Sequence, residues 1–123
     1  MHRATLLALA ISALLAGTAA TPAFAEFGAF ARDQGTNKIG LSWGKQTQRQ
    51  ADDAAMKDCA ESSCKIVFRT RAKQCSAVAT AEQGDAWGAS FRPQKDAAEL
   101  AAMNDCQKRI KGQCKVRASG CNR

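Results

Sequence analysis

The sequence contains nearly the same phrase twice. The letters AAMKDC at residues 54–59 return as AAMNDC at 101–106, and each copy ends in a cysteine. An internal repeat predicts that copies of one supersecondary unit build the fold. We therefore expect a single domain at 26–123 made of two repeats, at about 27–73 and about 74–123.

Each repeat has the pattern strand, strand, helix, strand. Two short segments of alternating residues flank a stretch rich in Asp, Gly or Asn, which is typical of a β-hairpin. An alanine-rich helix follows, at about 47–60 and about 94–109, and then a strand that begins at a cysteine. Because neither unit can bury much surface alone, we expect an α+β fold in which two tandem ββαβ repeats form one sheet with both helices on one face. Glycine in mid-strand, at Gly40 and Gly88, predicts a bulge or a close backbone approach.

Residues 1–25 have the features of a secretory signal peptide. A positive start at Arg3 precedes an apolar run, and a small-x-small motif at 23–25 predicts cleavage after Ala25. The apolar run is shorter than the roughly 20 residues that span a bilayer. We therefore expect an exported protein, periplasmic or extracellular, with no transmembrane segment after cleavage.

All six cysteines follow the predicted cleavage site. An even number in a short exported chain indicates disulfide bonds, which would supply much of the stability of so small a domain. Spacing alone leaves several pairings open, but the repeat favours joining each helix end to the strand that follows it. This gives Cys59–Cys64 and Cys106–Cys114, and by elimination Cys75–Cys121.

The repeated motifs resemble those of a known family. They are the WG pairs at 43–44 and 87–88, the two AAM phrases, and the strands CKIVF and CKVRA. This combination is similar to the exported bacterial family catalogued as domain of unknown function 4189, and the resemblance covers nearly all of residues 27–121. The first WG ends its strand, whereas the second begins its strand. The resemblance implies a small exported domain with no established catalytic residues.

The predicted mature chain has no histidine, because His2 is removed with the signal peptide. Nucleophilic catalysis usually needs such a base, and zinc sites usually need such a ligand or a CxxC pair. We therefore expect no enzyme activity, no metal and no cofactor. Asp58 and Asp105 are expected to bond locally. The carboxylates that remain as acid–base candidates, interpreted as solvated helix faces, are Asp52, Asp53, Asp96 and Glu99.

Basic residues are the more informative chemical feature of a chain with net charge +7. Lys65, Arg69 and Arg71 are predicted to share one strand face, with Ile66 and Phe68 on the other, core face. The predicted basic surface for an anionic partner comprises Lys65, Arg69, Arg71, Lys73, Lys108, Arg109, Lys111, Lys115 and Arg117. The alternative is a solubility surface or protection of sheet edges. Aromatic residues do not interleave the second basic run, so no nucleic-acid signature is present.

Trp43 and Trp87 have two interpretations. They are either core residues of a domain with few large side chains, or an exposed pair that marks a binding face.

The sequence favours an exported, non-enzymatic interaction module that binds a protein or a cell-envelope component. Inhibitor, immunity and host-directed roles all fit this description. The alternative is a basic binder of polyanions or membrane surfaces. A hydrolase that relies on carboxylates is a third hypothesis, although no motif supports it.

Overall fold

The computed structural model describes residues 25–123, so the predicted signal peptide lies outside the described residues, apart from Ala25. Strands and helices alternate in the predicted order, ββαβ followed by ββαβ. The elements are β1 (Phe27–Arg32), β2 (Ile39–Lys45), α1 (Gln48–Cys59), β3 (Lys65–Thr70), β4 (Cys75–Ala81), β5 (Trp87–Arg92), α2 (Lys95–Gln107) and β6 (Cys114–Cys121). Within the described residues, no helix is long and apolar enough to cross a membrane.

The strands form two antiparallel sheets, one in each repeat. The first sheet has the order β2-β1-β3 and the second has the order β5-β4-β6. The α+β class and the tandem ββαβ units are confirmed, but the prediction of one shared sheet is wrong. The physical reason lies in the central strands, which carry large side chains on the face away from the helix. One sheet with both helices on one face would leave Phe30 and Val78, each 1% exposed, open to water.

The molecule is therefore layered as helix, sheet, sheet, helix. Ala29 and Ala31 of β1 pack against Ala51 and Ala55 of α1, and the second repeat has the equivalent alanine cluster between β4 and α2. On the other face of β1, the ring of Phe30 contacts the ring of Trp87 in the second sheet. The two helices consequently lie on opposite outer faces, and the apolar inner faces of the sheets meet between them.

Alanine and glycine allow each helix to approach its sheet closely. A Cβ atom at Gly40 would lie 2.1 Å from the carbonyl oxygen of Ala55, and one at Gly88 would lie 2.3 Å from the backbone nitrogen of Cys106. Of the two expectations for these glycines, the structure therefore shows the close backbone approach. The repeated AAM phrases supply the helix surface that fits over the glycines.

Disulfides fasten the same joint in both repeats. Two of the three disulfides each join the end of a helix to the start of the next strand or to the turn just before it. The third links facing residues of β4 and β6. The bonded pairs are Cys59–Cys64, Cys106–Cys114 and Cys75–Cys121, the set that the repeat favours.

A β-bulge in β3 changes which side chains share a face. Ala31 faces Ile66 across the strand pair whereas Phe30 faces Phe68, so the register shifts by one residue. Ile66 packs toward α1, and Phe68 contacts Phe91 of the second sheet. The prediction that Ile66 and Phe68 share a core face is wrong, because the extra residue interrupts the period of two.

The same bulge separates two residues of the predicted basic face. Lys65 pairs with Arg32, whereas Arg69 pairs with Ala29, which faces α1. Lys65 and Arg69 therefore lie on opposite faces of the first sheet. An equivalent register shift occurs in the β4–β6 pair, between Val78 and Ala79.

Polar side chains bond the two repeats to each other. The Trp43 indole donates to Ser76 Oγ over 2.8 Å, and the Thr70 hydroxyl donates to the same oxygen over 2.7 Å. Asn122 accepts from the backbone N–H of Gly44 and donates to the carbonyl of Thr70. The sheet interface is thus partly polar, and its orientation is set by directional bonds.

Candidate functional site

Two arginines meet one tryptophan at the end of the sandwich where β1 ends and β5 begins. The guanidinium carbons of Arg32 and Arg109 lie 5.8 Å and 5.6 Å from a ring centroid of Trp87. Both distances are within the range of cation–π attraction, which contributes about 0.5–1 kcal/mol at exposed sites. The contacts place two positive charges beside one indole.

Trp87 is half-buried, so it is partly a core residue and partly an exposed residue of a candidate binding face. Its ring also meets the ring of Phe30 in a T-shaped arrangement, with centroids 5.3 Å apart. Phe30 belongs to the core between the sheets and anchors the indole from the inside. Trp43, also half-buried, instead contributes to the polar contacts between the repeats.

Arg32 and Arg109 are held by neighbouring polar groups. Arg32 donates to Asn37 Oδ1 over 2.6 Å and to the Asp85 carbonyl oxygen over 3.1 Å. Arg109 lies 3.5 Å from an Asp105 carboxylate oxygen, one turn earlier in the chain. Since each guanidinium group has five N–H donors, both keep donors free for a further partner.

Further basic side chains border the same end of the molecule. Arg32 and Lys65 line a depression of about 680 Å³. Arg32 and Trp87 line a smaller one of about 100 Å³ together with Arg117, which in turn lines a third depression with Lys115. We define the basic end as Arg32, Lys65, Trp87, Arg109, Lys115 and Arg117.

The other predicted basic residues neither contact Trp87 nor line these depressions. Arg69 makes two hydrogen bonds to the carboxylate of Asp52 on α1, at 3.2 Å and 2.8 Å. The Arg71 guanidinium lies 5.0 Å from the ring of Phe91. The turn between β3 and β4 contains Lys73, and the segment after α2 contains Lys108 and Lys111. The nine predicted residues therefore do not form one surface, and four of them belong to the basic end.

Three of the four helix carboxylates that are acid–base candidates have structural partners. Hydrogen bonds from Arg69 lower the pKa of Asp52 below its usual value, which disfavours its use as a proton donor. Asp96 accepts from the backbone N–H of Ala97, and Glu99 accepts from the Ser119 hydroxyl over 2.6 Å. Asp53 is exposed on the surface of α1. Within residues 25–123, no group of three or more metal-ligating side chains comes together.

Asp58 and Asp105 have matching roles in the two repeats. Asp58 accepts from the backbone N–H of Leu41 over 3.0 Å, and Asp105 accepts from that of Ala89 over 3.2 Å. Local bonding was expected for both, and each carboxylate ties the end of a helix to the strand beneath it.

Sequence reasoning missed Arg32 and the loop that follows it. Asp33 is buried, and it accepts from the Thr36 hydroxyl over 2.6 Å and from the Ser63 hydroxyl over 3.0 Å. These hydrogen bonds, with that from Thr36 the strongest, lower the pKa of Asp33. The signal was present in the letters RDQGT, where an Asp two residues before Gly favours a side-chain-bonded turn at a strand end.

Comparison with known proteins supports the fold. No curated protein matches the chain. The NMR structure of Rv1813c from Mycobacterium tuberculosis is similar, with a TM-score of 0.59 and 24% sequence identity over 99% of each chain. At this identity the likeness establishes a shared fold. The family model described as domain of unknown function DUF4189 matches residues 27–121, and the chain therefore belongs to the DUF4189 family.

Proposed function

We propose that the protein is an exported, non-enzymatic binding module whose partner presents anionic groups to the basic end. The partner is a protein or a cell-envelope component. The observation that carries this proposal is the placement of two guanidinium groups, from Arg32 and Arg109, beside the half-exposed indole of Trp87.

The chemistry of these groups suits carboxylate or phosphate oxygens. A guanidinium group binds such oxygens through two parallel N–H bonds, and these charge-assisted bonds are stronger than neutral ones. Tryptophan adds apolar contact area and, like arginine, is enriched where binding energy is concentrated. Because Asn37 and Asp85 already orient Arg32, less side-chain entropy is lost when a partner binds.

Long-range electrostatics favours the same partner class. The chain has 18 basic and 11 acidic residues, a formal net charge of +7. Such a charge accelerates the approach of anionic molecules and suppresses the approach of cationic ones.

The engagement of the carboxylates supports a non-enzymatic role. Asp52 is ion-paired with Arg69, Glu99 accepts from Ser119, and Asp58 and Asp105 bond to strands. A carboxylate that acts as a general acid or base must be able to exchange a proton with a substrate. Structural bonding to neighbours is the simpler use of these groups.

Disulfide bonds support export. Cys59, Cys64, Cys106 and Cys114 are almost completely buried and form part of the two helix–sheet cores. Bridges in such positions belong to the folded scaffold and are formed and kept in oxidising compartments.

Binding to immobilised poly-L-glutamate and to anionic phospholipid vesicles tests the proposal. We expect the native protein to bind poly-L-glutamate with an affinity that falls as salt rises. The double variant R32Q/R109Q should bind about tenfold more weakly or worse, because two charge-assisted contacts are lost. The matched control K57Q/K95Q removes the same charge from exposed positions on the helices and should bind like the native protein, apart from a small general charge effect.

Equal weakening in both double variants would mean that net charge alone explains the binding, and it would overturn a specific site at the basic end. Tight binding to the vesicles with none to poly-L-glutamate would favour the alternative of a membrane-surface binder.

A further inference from the structure

The edge strands of the two sheets differ in how they are covered. Among the described strands, β2, β3, β5 and β6 each have a single strand neighbour. The N–H groups that face outward from such strands can pair with another chain. On β2 and β5 a helix carboxylate occupies this position, since Asp58 accepts from Leu41 and Asp105 accepts from Ala89. These two edges are therefore blocked at their centres.

The edge of β6 is covered in a different way. At its start, Gln107 Oε1 accepts from the backbone N–H of Cys114 over 3.2 Å. Near its end, the Ser119 hydroxyl donates to Glu99, which places a carboxylate beside the strand. Because Ser119 is neutral, this negative charge is not balanced by its partner. Lys115 and Arg117 lie on the same strand, so β6 differs from β3 in the side chains that cover both of its ends and not in its charge.

The edge of β3 remains open. Among residues 25–123, no side chain hydrogen-bonds to the backbone between Lys65 and Arg69; Asn122 covers only the end, at the Thr70 carbonyl. The carboxylate of Asp52 is near this strand, as Glu99 is near β6, but Arg69 neutralises it. The edge of β3 is thus unoccupied. Asp33 and Glu61 also border it, but Asp33 is buried and Glu61 is ion-paired with Lys38, which leaves Lys65 and Arg32 as the charged groups open to a partner.

Two further features mark this edge as a contact surface. Val67, at the bulge, is 42% exposed and offers apolar contact area at the open edge. Val67 and Lys65 also line the depression of about 680 Å³ that Arg32 shares with the basic end. The open edge and the basic end are therefore parts of one continuous surface.

We propose that β3 accepts an extended acidic segment of a partner protein as an added strand. Backbone hydrogen bonds along Lys65–Arg69 supply affinity, and alternate side chains supply specificity. An apolar side chain of the segment contacts Val67, and acidic side chains meet Lys65 and Arg32. A second copy of this chain is disfavoured, because pairing β3 with itself would bring like charges together. This inference rests on the proposed function, since it assigns the anionic partner to one chemical class.

The probe is an eight-residue peptide in which Glu and Val alternate at the odd positions and Thr fills the even positions, so that Glu and Val lie on one face of the added strand. Its matched control is a peptoid with the same side chains, whose backbone has no N–H groups. We expect the peptide to bind at least about tenfold more tightly, because the peptoid loses hydrogen bonds worth about 0.5–1.5 kcal/mol each. The peptide should also slow hydrogen exchange at amides within residues 65–69.

A pair of charge variants localises the contact. Val67 and Leu100 are the exposed large hydrophobic residues of the described chain, at 42% and 65%. We expect Val67→Asp to weaken peptide binding, and Leu100→Asp, the same change on the outer surface of α2, to leave it almost unchanged.

Equal affinity for peptide and peptoid would overturn strand addition and leave binding at the basic end standing. Equal effects of the two Asp substitutions would likewise overturn the placement on β3. If the peptide, poly-L-glutamate and the anionic vesicles all fail to bind, both this inference and the proposed function are wrong.

Discussion

The backbone of Gly40 lies directly against the carbonyl oxygen of Ala55, with 2.1 Å between that oxygen and the position a Cβ atom would take. The second repeat has the same relationship between Gly88 and Ala102, at 2.6 Å. In both repeats a helix backbone therefore rests on a strand backbone. The repeated AAM phrase and the mid-strand glycine are two halves of one packing device.

Substituting Gly40 by alanine should destabilise the protein by about 1–3 kcal/mol, because the added methyl group must push α1 away from the first sheet. Urea denaturation followed by circular dichroism measures the change. Gly112 is a matched control, since a Cβ there would meet its nearest neighbour at an ordinary 3.9 Å. A loss at Gly112→Ala as large as that at Gly40→Ala would contradict the packing argument.

The disulfides should contribute unequally to the free energy of unfolding. Cys75–Cys121 spans 46 residues of sequence, whereas Cys59–Cys64 spans 5. Loop-closure entropy then predicts a loss of about 4 kcal/mol when both cysteines of the long bridge become alanine, and about 2 kcal/mol for the short bridge. Urea titrations of the two double variants under oxidising conditions measure the difference. The reverse order would show that strain or packing outweighs chain entropy.

Asn122 should be the most sensitive polar residue between the repeats. It is 4% exposed, accepts from the N–H of Gly44 and donates to the carbonyls of Thr70 and Arg71. Asn122→Ala leaves these groups unpaired and should cost about 1–3 kcal/mol in the free energy of unfolding. Asn104→Ala, at an exposed position on α2, is the control and should change stability by less than about 0.5 kcal/mol. Similar losses in both variants would mean that Asn122 does not join the repeats.

Asp33 should make the stability depend on acid. Its hydrogen bonds to Thr36, Gly35 and Ser63 hold its pKa below the ordinary value of 3.8. A group whose pKa is lower in the folded state stabilises the protein above the unfolded pKa, and this contribution is lost as the pH falls through the folded value. Asp33→Asn should therefore reduce the difference in unfolding free energy between pH 7 and pH 3.

Thermal unfolding at the two pH values measures the effect. The control Asp53→Asn removes an exposed carboxylate from α1 and should leave the acid dependence as it is in the native protein. An unchanged pH dependence in Asp33→Asn would show that the loop does not require the ionised carboxylate.

The sequence predicts the units of this fold better than their assembly. The repeat indicates the order of elements, and the matched positions of Cys59 and Cys106 favour the bridges. How the sheets assemble is a different question. The alternation along a strand shows which residues share a face, but it does not show what covers that face. The large side chains at Phe30 and Val78 were the available sign that a second layer was needed.

The candidate site shows the same division. Lys65, Arg109, Lys115 and Arg117 are predicted from the clustering of basic residues. The bulge in β3 is not, because it is a one-residue insertion that leaves no trace in the alternation. Arg32 was missed because Trp87, the ring that its guanidinium group contacts, is in the other repeat. Contacts between units depend on their relative placement, which local patterns do not contain.

Trp87 should report on binding directly by its fluorescence. The chain has two tryptophans, so Trp43→Phe leaves Trp87 as the sole indole, and Trp87→Phe leaves Trp43. We expect poly-L-glutamate to change the emission of the Trp43→Phe variant. Carboxylates that bind Arg32 and Arg109 would change the electric field at the half-buried Trp87 indole, which both guanidinium groups contact. The emission of Trp87→Phe should stay constant, since Trp43 contacts Ser76 and Gly120 within the interface. Trp43→Phe should also lower stability through the lost hydrogen bond, whereas its affinity for poly-L-glutamate should match that of the native protein. A response confined to Trp43 would move the binding surface away from the basic end.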